Sequence, residues 1–283
     1  MTQLHPRRGF LAAGAAGLVA AAAAQPARAA SSTWQNIIDT GVVRFGVMPS
    51  HGPYHDEQNG KWVGFAIQMG LDSMEALSQA MKKPLRAEYV ETSLATVILD
   101  LQADKLDLYF GLTASPERRR AVNLIGPIYE LPECAINARG FNPGDKWSDY
   151  DKPSVSISVV IGSTDEQAAQ KMLPHANVRS LKSTAEAILD IQSGNAQVMI
   201  NTLLSGMQAK KVNPNLTSPV VLQPVISQPS TAGTRKDSDG KFAAFMDAWA
   251  KEYRASGRAR AVIMEAMGHF GLDTASLPPT LQF

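Results

Sequence analysis

Residues 106–118 read LDLYFGLTASPER and decide the fold class of this chain. The apolar run at 106–110 is typical of a buried strand in a parallel sheet. Gly111 opens a predicted turn, after which Ser115 and Pro116 fit the N-cap and the first position of a helix. Because a strand that leads directly into a helix is the building unit of α/β proteins, this stretch predicts an α/β fold.

Strand and helix patterns alternate along the rest of the chain. Strands are predicted at 42–47, 86–90, 156–161 and 196–200, and helices at 67–81, 93–102 and 183–192. A second junction, GSTDE at 162–166, places Ser163 and Glu166 in the pattern of a capping box. Two such junctions with hydroxyl groups predict a cleft at the carboxyl ends of the strands, with an anion such as a carboxylate as its guest. Taken alone, the first junction is more simply explained as a helix cap without a ligand, and the second fits a cap as well as it fits a binding site.

An internal similarity favours two lobes of similar construction. Residues 92–102 read TSLATVILDLQ and residues 182–192 read KSTAEAILDIQ, with identical Ser, Ala, Ile, Leu, Asp and Gln positions. Generic helix composition also produces matches of this kind, so that alternative stays open.

The composition excludes several classes of protein and site. Hydrophobic residues make up 45% and charged residues 19% of the chain, and the formal net charge is +1, so we expect neither a disordered chain nor a nucleic-acid partner. A single cysteine, Cys134, excludes a disulfide framework and is expected to be buried. His51, His55, Asp56 and Glu57 lack the helical spacing of a metal site, and no metal or cofactor is expected.

Residues 1–29 are predicted to form an export signal outside the folded protein. RRGFL at 7–11 fits the twin-arginine type, an apolar run follows at 10–24, and ARA at 27–29 is typical of a cleavage site. An ordinary secretory signal is the alternative. The apolar run is about 15 residues, whereas a membrane span needs about 20, so no stable membrane insertion is expected.

These motifs together resemble the periplasmic solute-binding proteins of polar amino-acid ABC importers, family 3, which have the type II periplasmic binding fold. The resemblance lies in GVVRFGV (41–47), PY (53–54), GKWVGF (60–65), TSL (92–94), LQADKLD (101–107), GLTASPER (111–118), GPIY (126–129) and GST (162–164). It implies a two-lobed α/β fold with two hinge crossings. Residues 30–131 would form the first part of lobe 1, 132–232 lobe 2, and 233–283 the return segment and C-terminal helices of lobe 1.

The resemblance also implies a binding site. In this family an arginine at the end of a Thr-x-Ser-x-x-Arg element binds the ligand's α-carboxylate. By position Arg118 is that carboxylate-binding residue, Thr113 is its partner, and Ser163 with Thr164 makes the contacts that close the cleft. A planar guanidinium suits the role because it binds a carboxylate through two charge-assisted hydrogen bonds.

Two departures from the family pattern bear on the ligand. Asn201 and Thr202 stand where relatives place an aspartate for the ligand's ammonium group, and the carbonyl of Gly111 adds only a neutral acceptor. His51, with Leu94 opposite, stands where relatives stack an aromatic ring. Without that aspartate, the ammonium group of a buried α-amino acid would be partly unpaired, at a cost of several kcal/mol. We therefore expect a small, weakly charged pocket whose ligand is a small carboxylate or an atypical amino acid.

The resemblance therefore implies the substrate-binding component of an ABC importer and not an enzyme. It would be a monomer in the periplasm that captures a small carboxylate or amino-acid-like solute by cleft closure and presents it to a membrane ABC permease. Two alternatives stay open. One is a soluble ligand-sensing subunit, and the other is a cyclohexadienyl-dehydratase-like enzyme on the same scaffold. Such an enzyme needs an acid in the cleft, which Asn201 and Thr202 do not supply.

Overall fold

The computed structural model describes residues 1–2 and 32–277. The predicted export signal, apart from its first two residues, lies outside the described residues. Within the described ranges no helix combines the length and the apolar character needed to cross a bilayer.

Helices and strands alternate through most of residues 32–277. The helices are α1 (Thr33–Thr40), α2 (Phe65–Met81), α3 (Val97–Gln102), α4 (Pro116–Ala121), α5 (Trp147–Tyr150), α6 (Thr164–Met172), α7 (Thr184–Gln192), α8 (Leu203–Val212), α9 (Lys241–Ala255) and α10 (Arg258–His269). The strands are β1 (Val42–Val47), β2 (Asp56–Gln58), β3 (Lys61–Val63), β4 (Arg86–Glu91), β5 (Tyr109–Thr113), β6 (Asn123–Asn137), β7 (Ser156–Val160), β8 (Asn177–Leu181), β9 (Val198–Thr202), β10 (Val220–Val221) and β11 (Ser227–Thr234).

The main sheet runs through both lobes. Its strand order is β5-β11-β6-β9-β7-β8. β10 pairs with Cys134 and Ala135 of β6, on the edge opposite β9. The first ten residues of β6 pair with β11, whereas its last five pair antiparallel with β9. A parallel pair, β1 and β4, adjoins β5, since the Gly46 amide donates to the Leu108 carbonyl at 2.9 Å. β6 therefore carries the chain from one lobe to the other, and β11 returns beside it.

Each lobe has an apolar core of its own. Lobe 1 is built around Phe45, Phe65, Tyr129 and Phe242, and lobe 2 around Trp147, Tyr150, Ile157 and Ile200. Cys134 is a free, buried thiol, as predicted. These cores confirm the predicted α/β class with two lobes. The proposed lobe boundaries stay predictions.

One predicted strand is displaced. The sequence predicts a strand at 106–110 followed by a turn, but β5 occupies Tyr109–Thr113. Leu112 and Thr113 pair with β11, and Gly111 forms a bulge with φ of 93°, which glycine adopts readily. Pairing with a segment more than a hundred residues away thus overrides the local turn signal.

Smaller differences from the sequence prediction occur at the end of β9, at the start of α3 and at the start of α6. β9 continues through Asn201 and Thr202, and α3 begins at Val97 rather than at residue 93. The Ser163 hydroxyl accepts from the Glu166 amide at 3.0 Å, as predicted. The reciprocal half of the capping box is wrong, because the Glu166 carboxylate accepts from the Gly162 amide instead, at 2.7 Å.

Candidate functional site

A cavity of about 50 Å³ lies where the two lobes meet. All the residues predicted for the site line it, namely His51, Leu94, Gly111, Thr113, Arg118, Ser163, Thr164, Asn201 and Thr202. Residues outside the predicted set also line it, namely Tyr54, Tyr129, Leu131, Glu133, Asp165, Ser205 and Ser230. The cavity therefore draws on both lobes and on the strands that connect them.

Arg118 is held at the start of α4 by local geometry. The Ser115 hydroxyl accepts from the Arg118 amide at 3.3 Å, and Pro116 occupies the first turn, as the sequence predicts. The guanidinium donates through Nη1 to the Thr113 carbonyl at 2.8 Å and through Nη2 to the Gly162 carbonyl at 2.9 Å. The second bond links the two lobes.

The Arg118 side chain is a buried cation without a direct ion-pair partner among the described residues. The residue is 7% exposed, and among the described residues no carboxylate lies at ion-pair distance from its guanidinium. Burial lowers its pKa, while the negative charge of nearby Asp165 acts in the opposite direction. Because a buried cation without a direct ion pair is costly, this arrangement favours an anionic guest at the guanidinium.

The cleft is closed. The Tyr54 hydroxyl lies 2.8 Å from the Thr202 hydroxyl, which also approaches the Ser205 hydroxyl at 3.2 Å. Gly162 of lobe 2 packs directly on lobe 1, so that a methyl group added there would lie 3.2 Å from the Leu94 carbonyl oxygen. The Tyr54 hydroxyl contact and the Gly162 packing both depend on closure.

His51 contributes a neutral ring to the cavity. Its ring centroid is 5.0 Å from that of Tyr54 and 6.1 Å from that of His55. Burial lowers the pKa of His51 to about 4 and places that of His55 well below its usual value, so both rings are uncharged at neutral pH. Within the described ranges no group of His, Cys, Asp and Glu side chains is arranged to hold a metal ion.

Two carboxyl groups also reach the cavity, and the expectation of a weakly charged pocket is wrong. Glu133 lies on β6, paired with Thr202 of β9, and is 2% exposed. Asp165, in the first turn of α6, is 7% exposed. Both carboxyl groups therefore line one small cavity and are shielded from solvent.

Burial is the main cause of the unusual titration of these carboxyl groups. It raises the pKa of Asp165 to about 6, against the opposing influence of Glu133 and Arg118. Burial and the nearby charge of Asp165 place the pKa of Glu133 well above its usual value. Adjacent buried carboxyl groups share a proton because both ionise only at high cost. The cavity is thus lined by one cationic group, Arg118, and by this pair of carboxyl groups.

Asn201 has less capacity for a ligand than the sequence indicates. Its Oδ1 accepts from the Thr202 amide at 2.8 Å, so this oxygen already has a partner. The acidic residues that line the cavity are Glu133 and Asp165, and neither stands at position 201 or 202. A sequence signal for Glu133 exists, since it is an acid inside the largely apolar run LPECAI at 131–136.

The comparisons with known proteins agree with this geometry. The family model for bacterial extracellular solute-binding proteins, family 3, matches residues 43–268. Among solved structures, an ancestral amino-acid-binding protein described as a precursor of cyclohexadienyl dehydratase is 25% identical, with a TM-score of 0.72 over 83% of this chain and 99% of that chain. No curated protein matches the chain significantly.

Two further structures share the fold. The solute receptor for L-cysteine of Neisseria gonorrhoeae is 19% identical, with a TM-score of 0.76 over 89% of this chain and 100% of that chain. An amino acid ABC transporter substrate-binding protein from Streptococcus pneumoniae, bound to L-arginine, is 20% identical, with a TM-score of 0.73 over 85% of this chain and 100% of that chain. With a family model that spans both lobes and neighbours of the same two-lobed type II fold, the chain belongs to the bacterial extracellular solute-binding proteins of family 3.

Proposed function

We propose that this protein captures a small amino acid, or a solute with the same pair of charges, in the periplasm and presents it to an ABC permease. The observation that carries the proposal is the buried Arg118 guanidinium, which has no ion-pair partner among the described residues and shares one cavity with the carboxyl groups of Glu133 and Asp165. An amino acid carries the complementary pair of charges.

Arg118 is the proposed site for the ligand's carboxylate. Two of its N–H groups are occupied by main-chain carbonyls that fix the guanidinium plane, and the remaining N–H groups are free to donate. Thr113, Ser163 and Thr164 are proposed as hydroxyl partners beside it, since all three line the same cavity. His51, Leu94, Gly111, Asn201 and Thr202 are proposed as the remaining contacts.

The cavity size supports a ligand with a small body. One water-sized group needs roughly 10–15 Å³ of such space, so about 50 Å³ accommodates a few non-hydrogen atoms. We therefore favour solutes such as glycine, alanine or serine over those with long or aromatic side chains. The sequence favours a carboxylate without an ammonium group because it offers no acid to pair with that group. Glu133 and Asp165 line the cavity, so this argument no longer applies.

Calorimetry on the purified protein tests the proposed ligand class. Glycine, L-alanine and L-serine are titrated beside glycolate and L-lactate, which carry a hydroxyl in place of the ammonium group. We expect the amino acids to bind more tightly, by about tenfold or more, because a buried ammonium paired with a carboxylate is worth at least about 1.4 kcal/mol. Failure of every amino acid and carboxylate to bind would contradict the proposal.

Export and delivery form a separate step of the proposal. The predicted signal at 1–29 supports export, by the twin-arginine route in our interpretation, and the family is described as extracellular. Uptake of labelled solute by cells with and without the gene distinguishes importer from sensor. An importer component raises uptake, whereas a sensing subunit leaves uptake unchanged and alters the response to the solute. We propose that the protein acts as a monomer.

One observation favours an enzyme as the second candidate. A carboxyl group that keeps its proton near neutral pH, as the Glu133–Asp165 pair does, is a potential general acid. A cavity of about 50 Å³ nevertheless leaves little room for a six-membered ring with substituents. We therefore expect no turnover of a cyclohexadienyl substrate. Detectable release of an aromatic product would establish the enzyme reading.

A further inference from the structure

We propose that Glu133 and Asp165 form an exchange site in which the ligand's ammonium group replaces a shared proton, so that capture of one amino acid releases one proton. This inference rests on the proposed function and adds a coupling to it. The coupling makes capture weaker in an acidic medium.

The position of Glu133 gives the pair its fixed geometry. Its amide donates to the Ile226 carbonyl at 2.9 Å, and the residue is held between β9 and the segment that leads into β11. Its side chain is almost fully buried, yet Oε2 has no hydrogen-bond partner among the described residues. A buried carboxyl oxygen without a donor, on the wall of a cavity, is the group that a ligand N–H would satisfy.

Asp165 completes the pair from the opposite element. It lies one residue after Thr164, in the first turn of α6, and faces the same cavity. Both carboxyl groups are buried and line the same cavity of about 50 Å³, where two carboxylates ionise together only at high cost, so we infer that one proton serves both. A proton bound to the pair and the ammonium group of a ligand each place positive charge and a hydrogen-bond donor between these carboxyl oxygens. The two therefore compete for the same oxygens.

The other groups around the pair do not change charge in the relevant range. Burial raises the pKa values of Tyr54, Tyr129 and Cys134, which stay neutral, and it lowers the pKa of His51 to about 4. Arg118 stays positive, and its charge favours ionisation of Asp165. The proton shared by Glu133 and Asp165 is therefore the one that ligand binding displaces near neutral pH.

The exchange is balanced in charge and atoms. The empty site holds Arg118 as a cation, one carboxylate and one carboxylic acid, and the ligand arrives as a zwitterion. Its carboxylate meets Arg118, and its ammonium group donates to both carboxyl groups. The second carboxyl group then ionises and its proton passes to solvent. A hydroxy acid brings no cation, so it leaves that proton in place.

Calorimetry at several pH values counts the displaced protons. Glycine or L-alanine is titrated between about pH 5 and about pH 8, at each pH in two buffers of different ionisation enthalpy. We expect about one proton released per ligand near pH 6 to 7, and an affinity that falls by up to about tenfold for each pH unit of acidification. Glycolate is expected to show no proton release.

Two variants and one control assign the effect to the pair. Glu133→Gln removes the carboxyl group that keeps its proton, so the proton count at about pH 7 to 8 should fall toward zero. Asp165→Asn removes the neighbouring negative charge but not the burial of Glu133, so the proton count should fall only in part. Glu130→Gln makes the same change on the same strand, at a side chain that is one-third exposed and outside the cavity, and should keep the wild-type count. Circular dichroism checks folding, and Asp165→Asn carries the test if Glu133→Gln does not fold.

The outcomes separate this inference from the proposed function. Tight amino-acid binding with no proton release and no pH dependence overturns the exchange and leaves the proposed function intact. Absence of binding by any amino acid overturns the proposed function itself. A wild-type proton count retained in both variants also overturns the exchange, because the proton would then come from another group.

Discussion

The hydroxyl of Tyr54 lies 2.8 Å from the hydroxyl of Thr202 and joins the loop between β1 and β2 to the end of β9. Tyr54 belongs to lobe 1, where its ring packs on Phe65 at 4.5 Å, and Thr202 belongs to lobe 2. This contact exists only when the lobes are together. It therefore contributes to the stability of the closed form, by an amount of about 0.5–1.5 kcal/mol for a hydrogen bond of this kind.

Tyr54→Phe removes this hydroxyl and keeps the ring. We expect ligand affinity to fall by about fivefold, because a contact specific to the closed form is worth about 1 kcal/mol. Calorimetry measures the affinity, and small-angle scattering should show a more open ligand-free protein. Tyr89→Phe is the matched control, since Tyr89 packs within lobe 1 against Phe45. Equal affinities in the two variants would rule out the role given to Tyr54.

Gly162→Ala should hold the cleft open. The backbone of Gly162 has φ of 76°, and an added Cβ would lie 3.2 Å from both the Leu94 carbonyl oxygen and the Ala95 Cα across the cleft. Those are backbone atoms that cannot move aside easily. We expect affinity to fall by about tenfold or more, a loss of about 1.4 kcal/mol or more.

Gly194→Ala provides a control for the backbone strain of that substitution. Gly194 has φ of 75°, nearly the same, but an added Cβ would meet no atom within 4 Å. Both variants should lose about the same stability, on the order of 1 kcal/mol, and Gly162→Ala alone should lose affinity. If both keep wild-type affinity, Gly162 does not set how far the cleft closes.

The position of Arg118 at the start of α4 could be predicted from sequence because local geometry sets it, whereas its binding role is implied only by the resemblance to the family. Ser115 caps α4, Pro116 occupies the first turn, and Arg118 follows at a fixed offset from both. These relations span four residues, so any fold that contains this helix preserves them. The likeness of 92–102 to 182–192 similarly anticipated α3 and α7, which lead into β5 and β9.

The presence of the Glu133 and Asp165 carboxyl groups in the site could not be predicted in the same way. Whether Glu133 faces solvent, the core or the cleft depends on how β6 changes partner from β11 to β9, and those strands are about 70 to 100 residues away in sequence. Likewise Asp165 fits the role of a helix-capping acid until the lobes close around it. Long-range pairing and lobe closure, rather than local pattern, place both acids in the cavity.

Arg118→Ala is expected to abolish detectable amino-acid binding. The ligand's carboxylate would then be buried without a cation, at a cost of about several kcal/mol. Arg118→Lys keeps the charge but loses the planar donor pair, and should weaken binding by about tenfold or more. Arg119→Ala, at the exposed neighbouring position on α4, is the control and should bind normally. Calorimetry that finds unchanged affinity in Arg118→Ala would remove the carboxylate site from the proposal.

The final prediction concerns the pH dependence of stability in the ligand-free protein. Burial raises the pKa of Asp165 to about 6 and places that of Glu133 well above its usual value, whereas in the unfolded chain both lie near about 4. Between about pH 4 and the folded-state values, the folded protein therefore binds more protons than the unfolded chain. The contribution of the pair to the free energy of unfolding is thus largest below about pH 4 and falls as the pH rises.

Glu133→Gln isolates this contribution. The variant has no acid at this position that must keep its proton on folding. Its free energy of unfolding relative to wild type should therefore rise between about pH 5 and about pH 8, by up to about 1.4 kcal/mol for each pH unit over which Glu133 stays protonated in the folded protein. His51 titrates in the opposite sense, because its lowered pKa removes stability as the pH falls, but it does so equally in both proteins. Urea unfolding without ligand at several pH values measures the difference, and Glu130→Gln should follow wild type throughout. Parallel curves for wild type and Glu133→Gln would mean that no proton is shared at this site, and the exchange with the ligand's ammonium group would lose its basis.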